Sequence, residues 1–368
     1  MAVNASALVN FSTTGLNVGD YTYSLYALSA PGYLPLNSYT SSYLVSSYPA
    51  LGALIVPVIT PVSYVATART MPVGASWISA AYGNGVFVAV GFNSSNAASS
   101  TDGITWTTRT LPSVSSWYHV AFGNGIFVAV SQSGTAMVAT STDGITWTQR
   151  TAPFGTNYSV CFGNGRFVTV GGGGGSMVST DGINWTSGSF ANGFTDVVYG
   201  NGVFVAVNDS FANVCLVSTD GLTTTATGTM PATTNYYAVE FGGGFFVAIS
   251  RISGTMAARS VNGIDWVSST LPTTAIWQNI TYGNNSFLAI GNATNGATSP
   301  DGITWTARTL SSSTSWRGAT FGAGKFVITS AFVGTTIAAT IDYAVNATSF
   351  VLPNVQTLTG TTAYIKAT

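Results

Sequence analysis

Charge is what this chain has least of. Only 6% of its 368 residues are Asp, Glu, Lys or Arg, against roughly 25% in an ordinary soluble protein. Ten basic and eleven acidic side chains leave a net charge of −1, so neither a nucleic-acid footprint nor a polybasic lipid-docking run is present. Solubility has to come from Ser, Thr and Asn, and such a surface responds little to salt. Glu240 is the sole glutamate and His119 the sole histidine. A paired-carboxylate glycosidase would therefore have to recruit an aspartate, and no His/Cys cluster exists to hold a metal. Neither metal nor cofactor is expected. Cys161 and Cys215 occupy different repeats at different repeat positions, which argues against a disulfide framework. The apolar stretch 51–66 is short and interrupted by Pro57 and Pro61, so no membrane insertion is expected. The first residues lack the positive region of a secretory signal.

What the chain does have is repetition. One pattern recurs about every 40 residues: an aromatic residue, Tyr/Phe-Gly-Asn-Gly, Phe-Val-Ala-Val, a variable stretch, then Ser-Thr-Asp-Gly-Ile-Thr-Trp. The first glycine of the Gly-Asn-Gly group falls at Gly83, Gly123, Gly163, Gly200, Gly242, Gly283 and Gly322. Short β runs at this period predict a seven-bladed β-propeller of four-stranded antiparallel blades, preceded by a small irregular N-terminal segment. The boundaries are 1–62 for that segment, 63–353 for the propeller and 354–368 for a tail.

The second repeat shows how a blade is built. Residues 117–122 form the inner strand, Asn124-Gly125 a type I′ turn, and 126–130 the returning strand. Phe127-Val128-Ala129-Val130 is apolar without alternation, so both of its faces are buried, as in a middle strand between neighbouring blades. Asp143-Gly144 makes a second tight turn before the outer strand. The outer-strand phrase has an upstream copy, in which Ala68-Arg69-Thr70-Met71-Pro72 matches Thr108-Arg109-Thr110-Leu111-Pro112. This predicts that an N-terminal strand completes the seventh blade and closes the ring. Closure by residues 344–352 is the alternative.

The Ser-Thr-Asp-Gly-Ile-Thr-Trp phrase, at 100–106, 141–147, 179–185 and less fully 299–305, resembles the Asp-box (BNR) repeat of sialidases and many other propellers. That resemblance implies a structural turn between third and fourth strands. The turn residues are Asp102, Asp143, Asp181, Asp220, Asn262 and Asp301, and asparagine at 262 keeps the turn while discarding the charge. A sialidase would further need three arginines on a carboxylate, a tyrosine nucleophile with a glutamate partner and an acid aspartate. Arg69, Arg109, Arg150 and Arg308 share one repeat position and read as structural, leaving Arg166, Arg251, Arg259 and Arg317. The Phe/Tyr-Arg-Ile-Pro segment of sialidases is missing. No catalytic residue is assigned, and the chain is not expected to be an enzyme.

Six residues before each Gly-Asn-Gly stand Trp77, Trp117, Asn157, Phe194, Tyr236, Trp277 and Trp316. Their strand position lies near the face opposite the Asp-Gly turns, so the six aromatics could stack on a ligand or wedge between blades. That face also carries the variable loops 91–98, 131–136, 171–176, 208–214, 250–256, 291–297 and 330–336. Variation on a fixed frame is what a recognition surface shows.

The first 62 residues carry no repeat phrase. Gly32-Tyr33-Leu34-Pro35-Leu36-Asn37, followed by Ser46-Ser47-Tyr48-Pro49-Ala50-Leu51-Gly52-Ala53-Leu54, resembles the phage tail-collar motif over about 25 residues, without its usual Asp-Gly. The resemblance implies a phage virion protein attached through Tyr33, Leu34, Tyr48, Leu51 and Leu54 to other virion proteins. The expected function is a tail-fibre or receptor-binding component on the virion surface, at tail or head, recognising a host surface glycan or receptor. Two alternatives stay open: a decoration or head-fibre protein with a purely structural propeller, and a glycan hydrolase of sialidase-like fold.

Overall fold

The computed structural model describes residues 20–29, 32–44, 63–172, 175–190, 193–210, 212–252, 254–333, 338–344 and 364–366. The chain forms two units, Met1–Ser63 with Ala344–Thr368, and Tyr64–Tyr343. In the first, strands Asp20–Ser29 and Gly32–Leu44 pair as an antiparallel hairpin, and Tyr364–Lys366 adds to the second strand through Thr40–Ser42. The N-terminal segment thus contains regular β-structure, where an irregular one was expected. Tyr21, Tyr23 and Leu25 alternate with Thr22 and Ser24, a period of two that a search for the 40-residue repeat passes over. Tyr33 and Leu34 lie on the second strand, whereas Tyr48, Leu51 and Leu54 fall outside the described residues.

The second unit is the propeller. Blades one to five are four-stranded antiparallel sheets whose strands run outward from the axis in chain order. Blade two consists of Trp117–Gly123, Ile126–Ser131, Met137–Ser141 and Thr148–Thr151. Its first turn has Asn124 at φ 47° and Gly125 at φ 79°, the two positive values that a type I′ hairpin requires. Phe127, Val128, Ala129 and Val130 are completely buried, as their unbroken apolar run predicts. Blades six and seven form one six-stranded sheet, because Thr306–Gly322 is both the outer strand of blade six and the inner strand of blade seven.

The ring is closed by Ser63–Arg69, which lies beside Ala338–Ala344 as the fourth strand of blade seven. A repeated side-chain contact marks the equivalence. Arg109, Arg150 and Arg308 each donate Nε–H to a Ser or Thr hydroxyl on the adjacent third strand at 2.8–3.0 Å, and Arg69 does the same to Thr340 at 3.0 Å. The position that the alternative strand 344–352 would fill is therefore taken. A second repeated contact runs round the axis. A methyl group on Gly83 would stand 2.0 Å from the ring of Phe122 in the next blade, and the series continues to Gly322, which faces Tyr82 of blade one at 2.1 Å. Glycine here lets an aromatic ring lie flat on the neighbouring inner strand.

The Ser-x-Asp-Gly turns share the Gly-Asn-Gly end of the blades, where Asn84 Nδ2 donates to Gly125 O and Thr142 O at 3.3 and 3.1 Å. In Asp102, Asp143, Asp181, Asp220 and Asp301, Oδ1 accepts the N–H groups two and three residues onward at 2.8–3.0 Å. Backbone donors, Thr105 N–H first, pull the Asp102 carboxyl down to about 2. Asn262 Oδ1 makes the same two bonds at 2.9 Å with no charge.

The six aromatics considered as a stacking platform require a correction. Trp77, Trp117, Trp277 and Trp316 are fully buried, Tyr236 is 1% exposed and Phe194 8%. They fill the space between blades beside the central apolar strands, packing with residues such as Val88, Val90 and Phe127 around Trp117. No face of theirs is open to a ligand.

Candidate functional site

One residue further along each inner strand, the situation is different. Six of the seven inner strands carry a register shift directly after the buried aromatic or asparagine, for example between Trp117 and His119. Such a bulge leaves one residue without a ladder partner and re-aims its side chain. The re-aimed residues are Ile78, Tyr118, Tyr158, Tyr237, Gln278 and Arg317, with Thr195 at the matching place in blade four. All seven line one cavity, together with His119, Asp196, Ala238 and Asn279. A cavity receiving one side chain from every blade lies on the propeller axis, at the end where the variable loops emerge.

These side chains close the axis. Arg317 reaches from blade seven and donates Nη2–H to Tyr118 OH and Tyr237 OH, both at 3.0 Å, and Nη1–H to Gln278 Oε1 at 3.0 Å. The two tyrosine hydroxyls, from blades two and five, are 2.7 Å apart. Burial pushes the Tyr237 hydroxyl well up from its ordinary range, so it stays protonated and able to bond. About 40 Å³ of space remains open, enough for a few water molecules or one small polar group.

Below this plug the channel wall carries most of the unusual titratable groups. Asp196 accepts Ser159 Oγ–H at 2.6 Å, Val197 N–H at 2.9 Å and Val239 N–H at 2.9 Å. Burial nevertheless raises its carboxyl, against the pull of His119 and these donors. His119 Nδ1 lies 3.2 Å from Val160 N and 3.1 Å from Val160 O, and burial lowers its ring. Glu240 is driven up to about 8 by burial and, secondarily, by the Asp196 charge. Burial likewise raises the Cys161 thiol far out of the reactive range. Desolvation thus favours the neutral form of every one of these groups. Among the described residues, no group of three or more His, Cys, Asp or Glu is placed to hold a metal ion.

A second cavity of about 330 Å³ opens on the same face, lined by Asp209, Asn235, Arg251, Ile252, Ile276 and Gln278. Gln278 lines both cavities. Arg251 stacks on Tyr237, 4.5 Å from the ring centroid, while Arg317 stands 5.5 Å from the same centroid. Arg251 and Asp209 form an ion pair at 3.5 Å.

The aromatics expected to bind a ligand are therefore buried, and the residue after each of them lines the cavity instead. The position after the aromatic reads Ile, Tyr, Tyr, Thr, Tyr, Gln, Arg across the blades, but the next position, Ser, His, Ser, Asp, Ala, Asn, Gly, varies as much, so variation alone did not single it out. A bulge is not visible in the hydrophobic pattern, so the sequence carried no mark of where this side chain points.

No protein-family model and no curated protein matches the chain. Solved structures do. Virginiamycin B lyase from Staphylococcus aureus superimposes with a TM-score of 0.67 at 11% identity, over 76% of this chain and 99% of that one. YCF48 bound to D1 peptide gives 0.60 at 17%, over 76% and 97%. The Pan2 WD40 domain of Neurospora crassa gives 0.56 at 7%, over 73% and 88%. At these identities the likeness establishes the fold, a β-propeller. It also corrects one expectation. The chain was read as having no enzymatic activity, yet a lyase is among the structures that share its propeller, so that exclusion does not stand.

Proposed function

We propose that the chain is a bacteriophage virion protein that binds a host surface structure through the loop face of its propeller, with the unit built from the two chain ends attaching it to the particle. The observation that carries the binding half is the channel mouth. Seven inner strands with a common core deliver seven side chains of different chemistry to one place, and among them are arginine, tyrosine, glutamine and threonine. Such groups recognise ligands through hydrogen bonds and ring contacts, which suits a chain of very low charge. The attachment half is supported by the resemblance of 32–54 to the tail-collar motif and by the separate unit in which both ends of the chain take part.

The test uses intact particles and the purified full chain. Gold-labelled antibody against the propeller is expected to mark the tail tip or fibres, and added free chain is expected to compete with particle adsorption to host cells. Label on the head with adsorption unaffected by free chain would replace this reading with that of a decoration protein.

A further inference from the structure

We propose that the channel mouth is a binding site for a sugar bearing an oxyanion, carboxylate or phosphate, and that Arg317 is the residue that receives the anionic group. The proposal rests on the host-binding reading and names the ligand class of that site.

Arg317 is a permanent cation with five N–H donors. Three donate to Gln278, Tyr118 and Tyr237, all neutral acceptors. Among the described residues no carboxylate is paired with it. A half-buried guanidinium held by neutral oxygens keeps its charge and has N–H groups left over. The carboxylate beside it in the cavity lining, Asp196, is already occupied by three donors. Arg251, 4.5 Å from the centroid of the same Tyr237 ring, is instead offset by Asp209. The Ser-x-Asp-Gly carboxylates, which could offset Arg317, are at the opposite end of the blades. Arg317 is thus the one guanidinium at the centre of the loop face that no carboxylate offsets among the described residues.

An oxyanion fits this centre because guanidinium–oxyanion bonds are the strong, charge-assisted ones. A sugar fits the surroundings. Tyr158 offers a hydroxyl, and Gln278 its amide N–H donors, to sugar hydroxyl groups. Ile252 and Ile276, each 37% exposed, give the adjoining 330 Å³ cavity an apolar wall for the C–H face of a ring.

Titration calorimetry on the full chain with glucuronate, glucose 1-phosphate, methyl glucoside and an acetylated tripeptide with a free C-terminal carboxylate tests the proposal. At least one of the two acidic sugars is expected to bind roughly tenfold or more tighter than methyl glucoside, and the stronger of the two identifies the anionic group. Arg317→Gln is expected to erase that preference, and Arg317→Lys to keep part of it with an unchanged unfolding curve. Equal binding of methyl glucoside, tighter binding of the tripeptide, an intact preference in folded Arg317→Gln or no binding of either acid would overturn the proposal. Host-cell binding by a chain that ignores all the acids would leave the host-binding reading standing. Acid binding by a chain that ignores cells would do the reverse.

Discussion

Replacing Glu240 by glutamine should stabilise the protein, and only above a definite pH. Glu240 sits deep in the channel wall, where Oε1 accepts one bond, from Phe241 N–H at 2.9 Å. Burial and the Asp196 charge raise its carboxyl from 4.5 to about 8. The folded protein therefore holds this proton to higher pH than the unfolded chain does. Its contribution is fully present below pH 4.5, declines as pH rises to about 8, and is flat beyond that. Each pH unit in this window is worth about 1.4 kcal/mol, so keeping Glu240 protonated in the folded state costs up to about 3 kcal/mol at pH 7. Water in the channel reduces that figure, and a gain of at least about 1 kcal/mol is the outcome that the geometry requires. Glutamine has the shape of the protonated acid and cannot ionise. Urea unfolding of wild type and Glu240→Gln at pH 5 and pH 8 should give nearly coincident midpoints at the lower pH and a clearly higher midpoint for the variant at the upper. His119 titrates in both proteins and cancels in the difference. Parallel curves at the two pH values would refute the reasoning, because they would mean that Glu240 ionises in the folded state without cost.

Other perturbations test the frame. Asp143→Asn should change stability by less than about 0.5 kcal/mol, since Asn262 makes the same turn, whereas Asp143→Ala should cost about 1 kcal/mol in a denaturant melt by removing the acceptor of two N–H groups. Gly123→Ala places a methyl 2.0 Å from the Phe162 ring and should cost about 3 kcal/mol or more, with partial recovery when Phe162→Leu is added. Ala66→Asp puts a carboxylate into the closing strand where it packs with Leu310 and Trp316, and should cost about 2 kcal/mol and open the 63–69 strand to limited proteolysis.

The fold was legible because its signals are local and repeated. Asn-Gly pairs, unbroken apolar runs and Asp-Gly turns each specify a piece of a blade, and their sevenfold recurrence specifies the ring. Even the closing strand was readable, through the match of Arg69 to Arg109. The candidate site was only half legible. Arg317 and Arg251 were left over once the structural arginines were set aside, yet nothing in the sequence joins Arg317 to Tyr118, 199 residues away. That juxtaposition depends on the bulge that turns one side chain per blade toward the axis, which has no local signature. The aromatics beside those bulges misled for the same reason, because large rings at a strand start look alike whether they face ligand or core.

Recognition is proposed for the loop face. Binding of the fluorescently labelled full chain to host cells, compared between Arg317→Gln with Arg251→Gln on that face and Asp143→Asn with Asp181→Asn on the opposite one, tests it most directly. The account predicts loss of binding in the first pair and wild-type binding in the second, with all variants equally folded. Unchanged binding in the arginine variants, or loss confined to the aspartate variants, would contradict it.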